Sequence, residues 1–312
     1  MKNKKILALG TMYLDINCID FPFDKGLFVN RETVGNNYQY DLGGSALNFA
    51  KVASQLQLTI SLVGKVGTDP ISAIVLSLLR QNKITPHLIA DTSVQTNLAI
   101  HYIHTTGDSI MTSCGNANQS LSFQDIERKI DPLLDSIEYV YIGGIFKLKH
   151  VLPHLTTLAK KVKGKNIKIV LDHGRINNTV SVSDRNYLME VFPYVDIYLP
   201  SIDEFLAVWK SKTMEEGFVK LSKVSSALTI VKQAENGALG FDKGIITSVD
   251  PYKVTVRNTV GAGDSFNAGF LKAHMDGMSL KESIQYGCAV AAIKISTKER
   301  IMIDDVETLM RR

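Results

Sequence analysis

Short apolar runs rich in β-branched residues alternate along this chain with longer stretches whose apolar positions recur at helical spacing. Residues 6–10 predict a buried strand, and residues 45–56 a helix with Ala46, Phe49, Ala50, Ala53 and Leu56 on one face. Further strands are expected at 59–63, 139–142, 167–171, 196–199 and 228–231, and helices at 71–81, 122–134, 151–162, 262–275 and 280–296. Such alternation predicts a mostly parallel sheet covered by helices on both faces. Two stretches depart from it. Residues 12–41 have no helical period and carry Phe21, Phe23, Phe28, Tyr38 and Tyr40 among polar neighbours. Residues 96–113 alternate as paired strands, 98–103 and 109–112, around a turn at 105–108. A hairpin of this kind within an α/β chain forms either a flap that covers a substrate or a decorated sheet edge.

Composition narrows the class without naming a chemistry. At roughly 150 residues per domain the length would suggest two domains, yet no repeat or linker divides the 312 residues, so 1–312 reads as one unit. With 45% apolar residues the chain buries a core without disulfide or metal staples. Lys plus Arg total 35 against 31 Asp plus Glu, a net charge of +4 that points to neither a nucleic acid nor a membrane surface as partner. Cys18, Cys114 and Cys288 lack CxxC spacing, so neither disulfides nor a zinc site is indicated and a reducing cytoplasm is the expected location. The basic residues 1–5 before an apolar run resemble a signal peptide, but Gly10 and Asp15 follow and no small-x-small site does. The densest apolar run, 73–79, is too short to span a bilayer.

The strongest local signal is Asn258-Thr-Val-Gly-Ala-Gly-Asp264, which opens the helix expected at 262–275. Gly261 and Gly263 flank Ala262 where backbone N–H groups are exposed, and the helix dipole favours an anion there. Asp264 in the first turn has two readings: a base that takes the proton of an attacking hydroxyl, or a charge that merely complements the helix N-terminus. Asp41-Leu-Gly-Gly-Ser-Ala-Leu-Asn48 likewise opens a helix with Gly43 and Gly44, and Asn48 offers a donor and an acceptor to a polyhydroxylated ligand. Asp15, after the first strand, is a candidate to grip sugar hydroxyls. Neither GxxxxGK[ST] nor GxGxxG occurs, which argues against a Walker-type ATPase or a dinucleotide dehydrogenase. The seven histidines form no HExxH, and His150 and His154 read as surface or helix-start residues rather than metal ligands.

In order and spacing over nearly the whole chain, these segments resemble the two signatures of the ribokinase-like (PfkB-type) carbohydrate kinase family. The resemblance extends to Val63-Gly-Lys-Val-Gly-Thr-Asp69 and Val231-Lys-Gln-Ala-Glu-Asn-Gly237. It implies a three-layer α/β/α sandwich with a mostly parallel central sheet and a small β-lid, built here from about 12–41 and 96–113. It implies an ATP-dependent kinase that phosphorylates a primary hydroxyl of a sugar, with Mg²⁺ and a homodimer through the lid. By resemblance Asp264 is the catalytic base, and the N–H groups of Gly261, Ala262 and Gly263 form the anion hole. Asp15, Gly43, Gly44 and Asn48 bind the acceptor, Lys232, Gly237, Cys288 and Ala292 surround the nucleotide, and Glu204 organises Mg²⁺ through water. Three positions depart from the pattern. Ser201 replaces the Asn of an Asn-x-x-Glu motif, and Ala234 replaces a glycine. Asn258 replaces an acid that would help hold a monovalent cation, which weakens the case for K⁺ activation.

Two other readings stand beside the sugar kinase. A nucleoside kinase would use Tyr13, Phe21, Phe23, Tyr38 and Tyr102 to stack on a base, although these could equally pack the lid's own core. A non-catalytic ligand sensor would explain Ser201 and Asn258, but a pure binder gains nothing from a carboxylate at the Asp264 position. Only Lys25 and Arg31 stand out as cations in the expected pocket loops, which favours a neutral sugar over a phosphorylated one.

Overall fold

The computed structural model describes residues 5–19, 21, 34–104, 109–175, 180–297 and 300–311. It opens with strands β1 (Lys5–Gly10), β2 (Tyr13–Ile19) and β3 (Asn37–Gly43). Helix α1 (Ser45–Gln55), β4 (Thr59–Val66), α2 (Pro70–Gln81), β5 (Thr85–Ala90), β6 (Leu98–Ile103) and β7 (Ser109–Cys114) follow. Helices α3 (Ala117–Ser120) and α4 (Phe123–Ile130) lead to β8 (Tyr139–Gly143), α5 (Leu155–Lys163) to β9 (Lys168–Asp172), and α6 (Val182–Val191) to the short β10 (Ile197–Tyr198). Helices α7 (Ile202–Trp209) and α8 (Met214–Ser222) precede β11 (Leu228–Lys232), β12 (Ala238–Asp242) and β13 (Ile245–Val249). Helices α9 (Ala262–Met275), α10 (Leu280–Ser296) and α11 (Ile303–Met310) complete the order.

Nine strands make one sheet in the order β13-β12-β11-β10-β9-β8-β1-β4-β5. The strands from β5 to β11 are parallel, and β12 and β13 are antiparallel additions at one edge. Within β1, Ile6 and Ala8 face one core and Leu7 and Leu9 the other. That is the period-two outcome for a strand buried on both sides. Phe49, Leu79, Phe270, Ile284 and Val306 bring α1, α2, α9, α10 and α11 to the first core. Ile126, Leu158, Leu188, Trp209 and Phe218 bring α4 to α8 to the second. The result is an α/β/α sandwich. Strand order reverses between β1 and β8, and the crevice beyond the carboxyl ends at such a point is where ligands bind in parallel sheets.

A second sheet, β3-β2-β6-β7, stands beside the first. Only Thr11 and Met12 separate β1 from β2, so the small sheet begins at the mouth of that crevice. It comes from the two stretches without helical period, although the pattern alone did not identify β2 and β3 as strands. The expected turn at 105–108 lies outside the described residues, as do Phe23, Lys25, Phe28 and Arg31.

Two expected helices are broken by proline. The helix expected at 122–134 ends at Ile130, and Pro132 lies in a 3₁₀ turn at Asp131–Ser136. The one expected at 151–162 begins with a 3₁₀ turn at Leu152–His154 containing Pro153, and becomes α-helical only at Leu155. In both places proline supplies no N–H to an α-helical ladder. Helices α6, α7, α8 and α11 and strands β5, β12 and β13 were not expected from the pattern. The strand expected at 196–199 is confined to Ile197–Tyr198. Among the described residues no helix is long and apolar enough to cross a membrane.

Helix α1 is fixed on the sheet by Phe49, whose ring stacks on Tyr141 of β8 with centroids 3.7 Å apart and planes 6° from parallel. Both side chains are fully buried. Replacing Phe49 by Ala is expected to cost about 3–5 kcal/mol of stability, read as a lower urea midpoint at unchanged slope. A loss below about 1 kcal/mol would mean that this contact does not anchor α1.

Candidate active site

The two glycine-rich segments meet across the crevice. Helix α9 starts at Gly261, whose φ of 75° places it in the left-handed region. Such a conformation costs a glycine little and a side-chain-bearing residue more. A Cβ on Gly261 would lie 3.4 Å from the Asn48 side chain, so α1 and α9 approach closely here. In this position Asn48 donates from Nδ2 to Oδ2 of Asp264 at 3.0 Å. The N–H of Ala262 donates to the carbonyl of Thr259 at 3.2 Å. Among the described residues, the uncommitted backbone donors at this helix start are therefore those of Gly261, Gly263 and Asp264 rather than Gly261, Ala262 and Gly263.

Asp264 is surrounded by charge. Burial, followed by the neighbouring Asp172 carboxylate, raises its pKa to about 7, against the opposing pull of Lys232 and of the Asn48 hydrogen bond. Asp172 ends β9 and was not singled out in the sequence. Its Oδ2 takes Lys232 Nζ at 2.9 Å and Nδ2 of Asn267, and its Oδ1 takes the N–H of Gly174 at 2.9 Å. Burial works to raise the Asp172 pKa, yet the Lys232 ammonium holds it below the ordinary carboxylate value. A strand-end Asp gives no local signal. Its importance follows from the parallel order that sets β9 two strands from β11.

On the β1 side, a cavity of about 220 Å³ is lined by Asp15, Gly44, Asn48, His101 and Asp264 among others. Asp15 and His101 are buried, with Oδ2 3.3 Å from Nε2. Gly43 does not line this cavity. A Cβ there would fall 1.9 Å from the Asp15 carboxylate, so its lack of a side chain leaves room for Asp15. Lys147 and Arg175 also line the cavity, and sequence reasoning missed both because they lie far from either motif. The Lys147 ammonium sits 5.2 Å from the centroid of the Tyr13 ring.

A second cavity, of about 510 Å³, is lined by Lys232, Gly237, Tyr252, Phe266, Cys288 and Ala292 among others. All four residues assigned to the nucleotide in the sequence are thus brought together. Burial pushes the Cys288 thiol up to about 12, so it acts as an apolar wall rather than a thiolate. A third, more polar cavity adjoins it, lined by Asp172, Ser201, Asp203, Glu204, Lys232 and Asp264 among others. Ser201 and Glu204 form the capping box that starts α7: Ser201 N–H donates to Oε2 of Glu204 at 2.8 Å, and Glu204 N–H to Oγ of Ser201. Asn258 accepts the N–H of Val260 at 2.9 Å through its side-chain oxygen, which stiffens the turn before α9.

Residues 3–304 match the pfkB family carbohydrate kinase. The chain is 27% identical to 2-dehydro-3-deoxygluconokinase of Haemophilus influenzae, over 96% of each chain. It is 25% identical to adenosine kinase of Dictyostelium discoideum, over 92% of this chain and 93% of that one. The structure superposes on Arabidopsis thaliana ribokinase complexed with ribose and ATP with a TM-score of 0.76, at 20% identity and full coverage of both chains. The chain belongs to the pfkB family of carbohydrate kinases, phosphotransferases with an alcohol group as acceptor.

Proposed function

We propose that this protein transfers the γ-phosphoryl group of ATP to a primary hydroxyl of a small sugar, with Asp264 as proton acceptor. The observation that carries the reading is the place of Asp264. It lines both the Asp15 cavity and the Glu204 cavity, at a helix start with uncommitted N–H groups. The acceptor hydroxyl enters beside Asp15, Asn48 and Asp264. Its oxygen bonds the γ-phosphorus, the bond to the β-phosphate breaks with its electron pair passing to ADP, and its proton passes to Asp264. The N–H groups of Gly261 and Gly263 neutralise charge on the transferring group.

The nucleotide side fits ATP. Phe266, Ala292 and their neighbours offer an apolar slot, and Lys232 and Gly263 mark its junction with the polar cavity. Mg²⁺ keeps several waters and takes one or two carboxylates together with phosphate oxygens. Glu204 suits that role through the carboxylate oxygen its capping bond leaves over. When bound, Mg²⁺ would draw charge from the phosphates. The small sheet of β2, β3, β6 and β7 acts as the lid, which bears on the acceptor cavity through Tyr13, Asp15, His101 and Met111. Closure over the acceptor keeps water from the phosphoryl group. Tyr38 and Tyr40, exposed and packed edge to face, are the surface we assign to a lid-mediated homodimer. A reducing cytoplasm suits the three free thiols.

The aromatic residues weigh against a nucleoside acceptor. Phe21 and Tyr102 pack on one another at 4.9 Å, and of the five candidates only Tyr13 lines the acceptor cavity among the described residues. Lys147 and Arg175 instead favour a second reading, a sugar that carries a carboxylate. Among the described residues neither cation has an acidic partner, and both are exposed and line the acceptor cavity.

Asp264→Asn is expected to fold normally and to lose about 10²–10⁴-fold in turnover; near-normal phosphotransfer by this variant would refute the assignment. In the wild type, kcat/KM should rise with pH through about 7 as Asp264 ionises. Stability should run the other way. A carboxyl with a raised native pKa binds its proton more tightly when folded, so its contribution is full below the ordinary value of 3.8 and is lost as pH rises to about 7. Asp264→Asn should therefore gain stability relative to wild type between those pH values, measured by denaturant titration at several pH values. An ADP-release screen over sugars, sugar acids and nucleosides, with and without K⁺, should find its best acceptor among the first two classes. Release only with nucleosides would favour the other reading, and binding without any ADP release would revive the non-catalytic one.

A further inference from the structure

The register of the small sheet decides which of its side chains meet the acceptor cavity. Strands β2 and β6 are parallel with Asp15 opposite Ala99, and β6 and β7 are antiparallel with His101 opposite Met111. Alternate residues share a face, and Asp15, Ala99, His101 and Met111 all line the cavity. His101 stands two residues beyond the position opposite Asp15, and the small Ala99 side chain leaves its ring room to reach back. Its Nε2 lies 3.3 Å from Oδ2 of Asp15. The two side chains share a confined space, Asp15 being 6% and His101 5% exposed. Strand β2 lies between β3 and β6, and a Cβ on Gly43 of β3 would fall 1.9 Å from Oδ1 of Asp15. The carboxylate is therefore set between bare backbone on one side and the imidazole on the other. Nε2 is buried and has no well-formed hydrogen bond among the described residues. Buried polar nitrogens are normally satisfied, and an apolar side chain would fill the same space without that cost. A carboxylate only accepts, so a bare lone pair on Nε2 would be repelled at this distance, and the nitrogen facing Asp15 carries a proton.

We propose that His101 is a positioning residue for acceptor binding: its Nε2–H engages Oδ2 of Asp15 and fixes the carboxylate so that Oδ1 receives a hydroxyl of the sugar. The inference rests on the reading of Asp15 as the residue that grips the acceptor, and it deepens that reading. At 3.3 Å the contact is longer than the roughly 2.7–2.9 Å of a charge-assisted bond. A hydroxyl donating to Oδ1 holds the carboxylate from its other oxygen, and the Nε2 contact closes to that length when the sugar is bound. His101 acts through Asp15 and away from the transferring phosphoryl group, so its loss falls equally on the bound sugar and on the transition state. Such a loss raises KM and leaves kcat in place.

The probe is the pentose, hexose or hexonate with the highest wild-type kcat/KM in ADP release at saturating ATP. His101→Leu should raise its KM at least about tenfold, as expected for loss of a hydrogen bond to a charged group, with kcat and the KM for ATP within about threefold of wild type. His101→Gln, whose amide nitrogen takes the place of Nε2, should recover most of that loss. Asp15→Asn should raise the acceptor KM at least as far as His101→Leu. Long-range proton–nitrogen NMR, with the His101 signals identified by their absence from His101→Gln, should show a protonated Nε2 whose shift moves in Asp15→Asn and on addition of the probe sugar. This readout stands even where His101→Leu does not fold. An acceptor KM unchanged in His101→Leu but raised in Asp15→Asn, a glutamine variant as impaired as the leucine one, or an Nε2 without a proton would overturn the His101 assignment alone. An acceptor KM unchanged in both His101→Leu and Asp15→Asn would overturn the reading of Asp15 and this assignment with it. ADP release with none of these sugars would overturn the sugar-kinase reading on which both rest.

Discussion

The site depends on a cluster, buried at Asp172 and half-buried elsewhere, in which carboxylates outnumber cations. Asp172, Glu204 and Asp264 face one ammonium, that of Lys232, at the ends of β9 and β11 and the starts of α7 and α9. Carboxylates brought together out of water cannot all stay ionised at their usual pKa. Here the conflict is resolved by division of roles. Asp172 takes the ammonium and remains ionised, whereas Asp264 receives a single side-chain amide bond from Asn48 and is left with a proton affinity suited to neutral pH. A group poised in that way can accept a proton and release it again. The same cluster would be a liability in a protein with no anion or metal to receive.

Close backbone approach makes the cluster and the adjoining cavity possible. A Cβ on Gly10 would lie 1.9 Å from the carbonyl of Gly143, and one on Gly174 2.6 Å from Cα of Gly144. The loops after β1, β8 and β9 are thereby drawn together where the strand order reverses. The stacked Phe49 and Tyr141 set the height of α1 above the sheet, one residue from Asn48. Tyr141 in turn meets Asn267 of α9 through its hydroxyl, at 3.2 Å. Packing in the core and geometry in the site are thus linked through adjacent residues of the same helices.

Much of this was legible in the order of residues, for reasons that differ by element. Helices α9 and α10 were expected with the bounds they have, because long apolar periodicity with clear starts leaves little room for another structure. Pro132 and Pro153 are visible too, but apolar periodicity runs across both, so the pattern alone does not show where the α-helical ladder breaks. Asp264 and Asn48 were singled out because they lie in local glycine motifs, and Gly237 and Cys288 through the family resemblance; each lines one of the cavities. Asp172, Lys147 and Arg175 were not singled out, since each owes its place to strand order. Gly43 was assigned to the acceptor; its missing side chain makes room for Asp15, and it does not line the acceptor cavity. Local motifs mark Asn48 and Asp264, and strand order brings Asp172 close to Asp264.

The central claim is that Asp264 still holds a proton at mildly acidic pH and loses it near neutrality. The most direct test is the carboxyl signal itself, followed by carbon NMR or infrared difference spectroscopy on protein with labelled aspartate, with Asp264→Asn as the subtraction control. The account predicts one aspartic acid signal that disappears with a midpoint near pH 7 and is absent from the variant. An Asp264 carboxylate already ionised at pH 5 would contradict it.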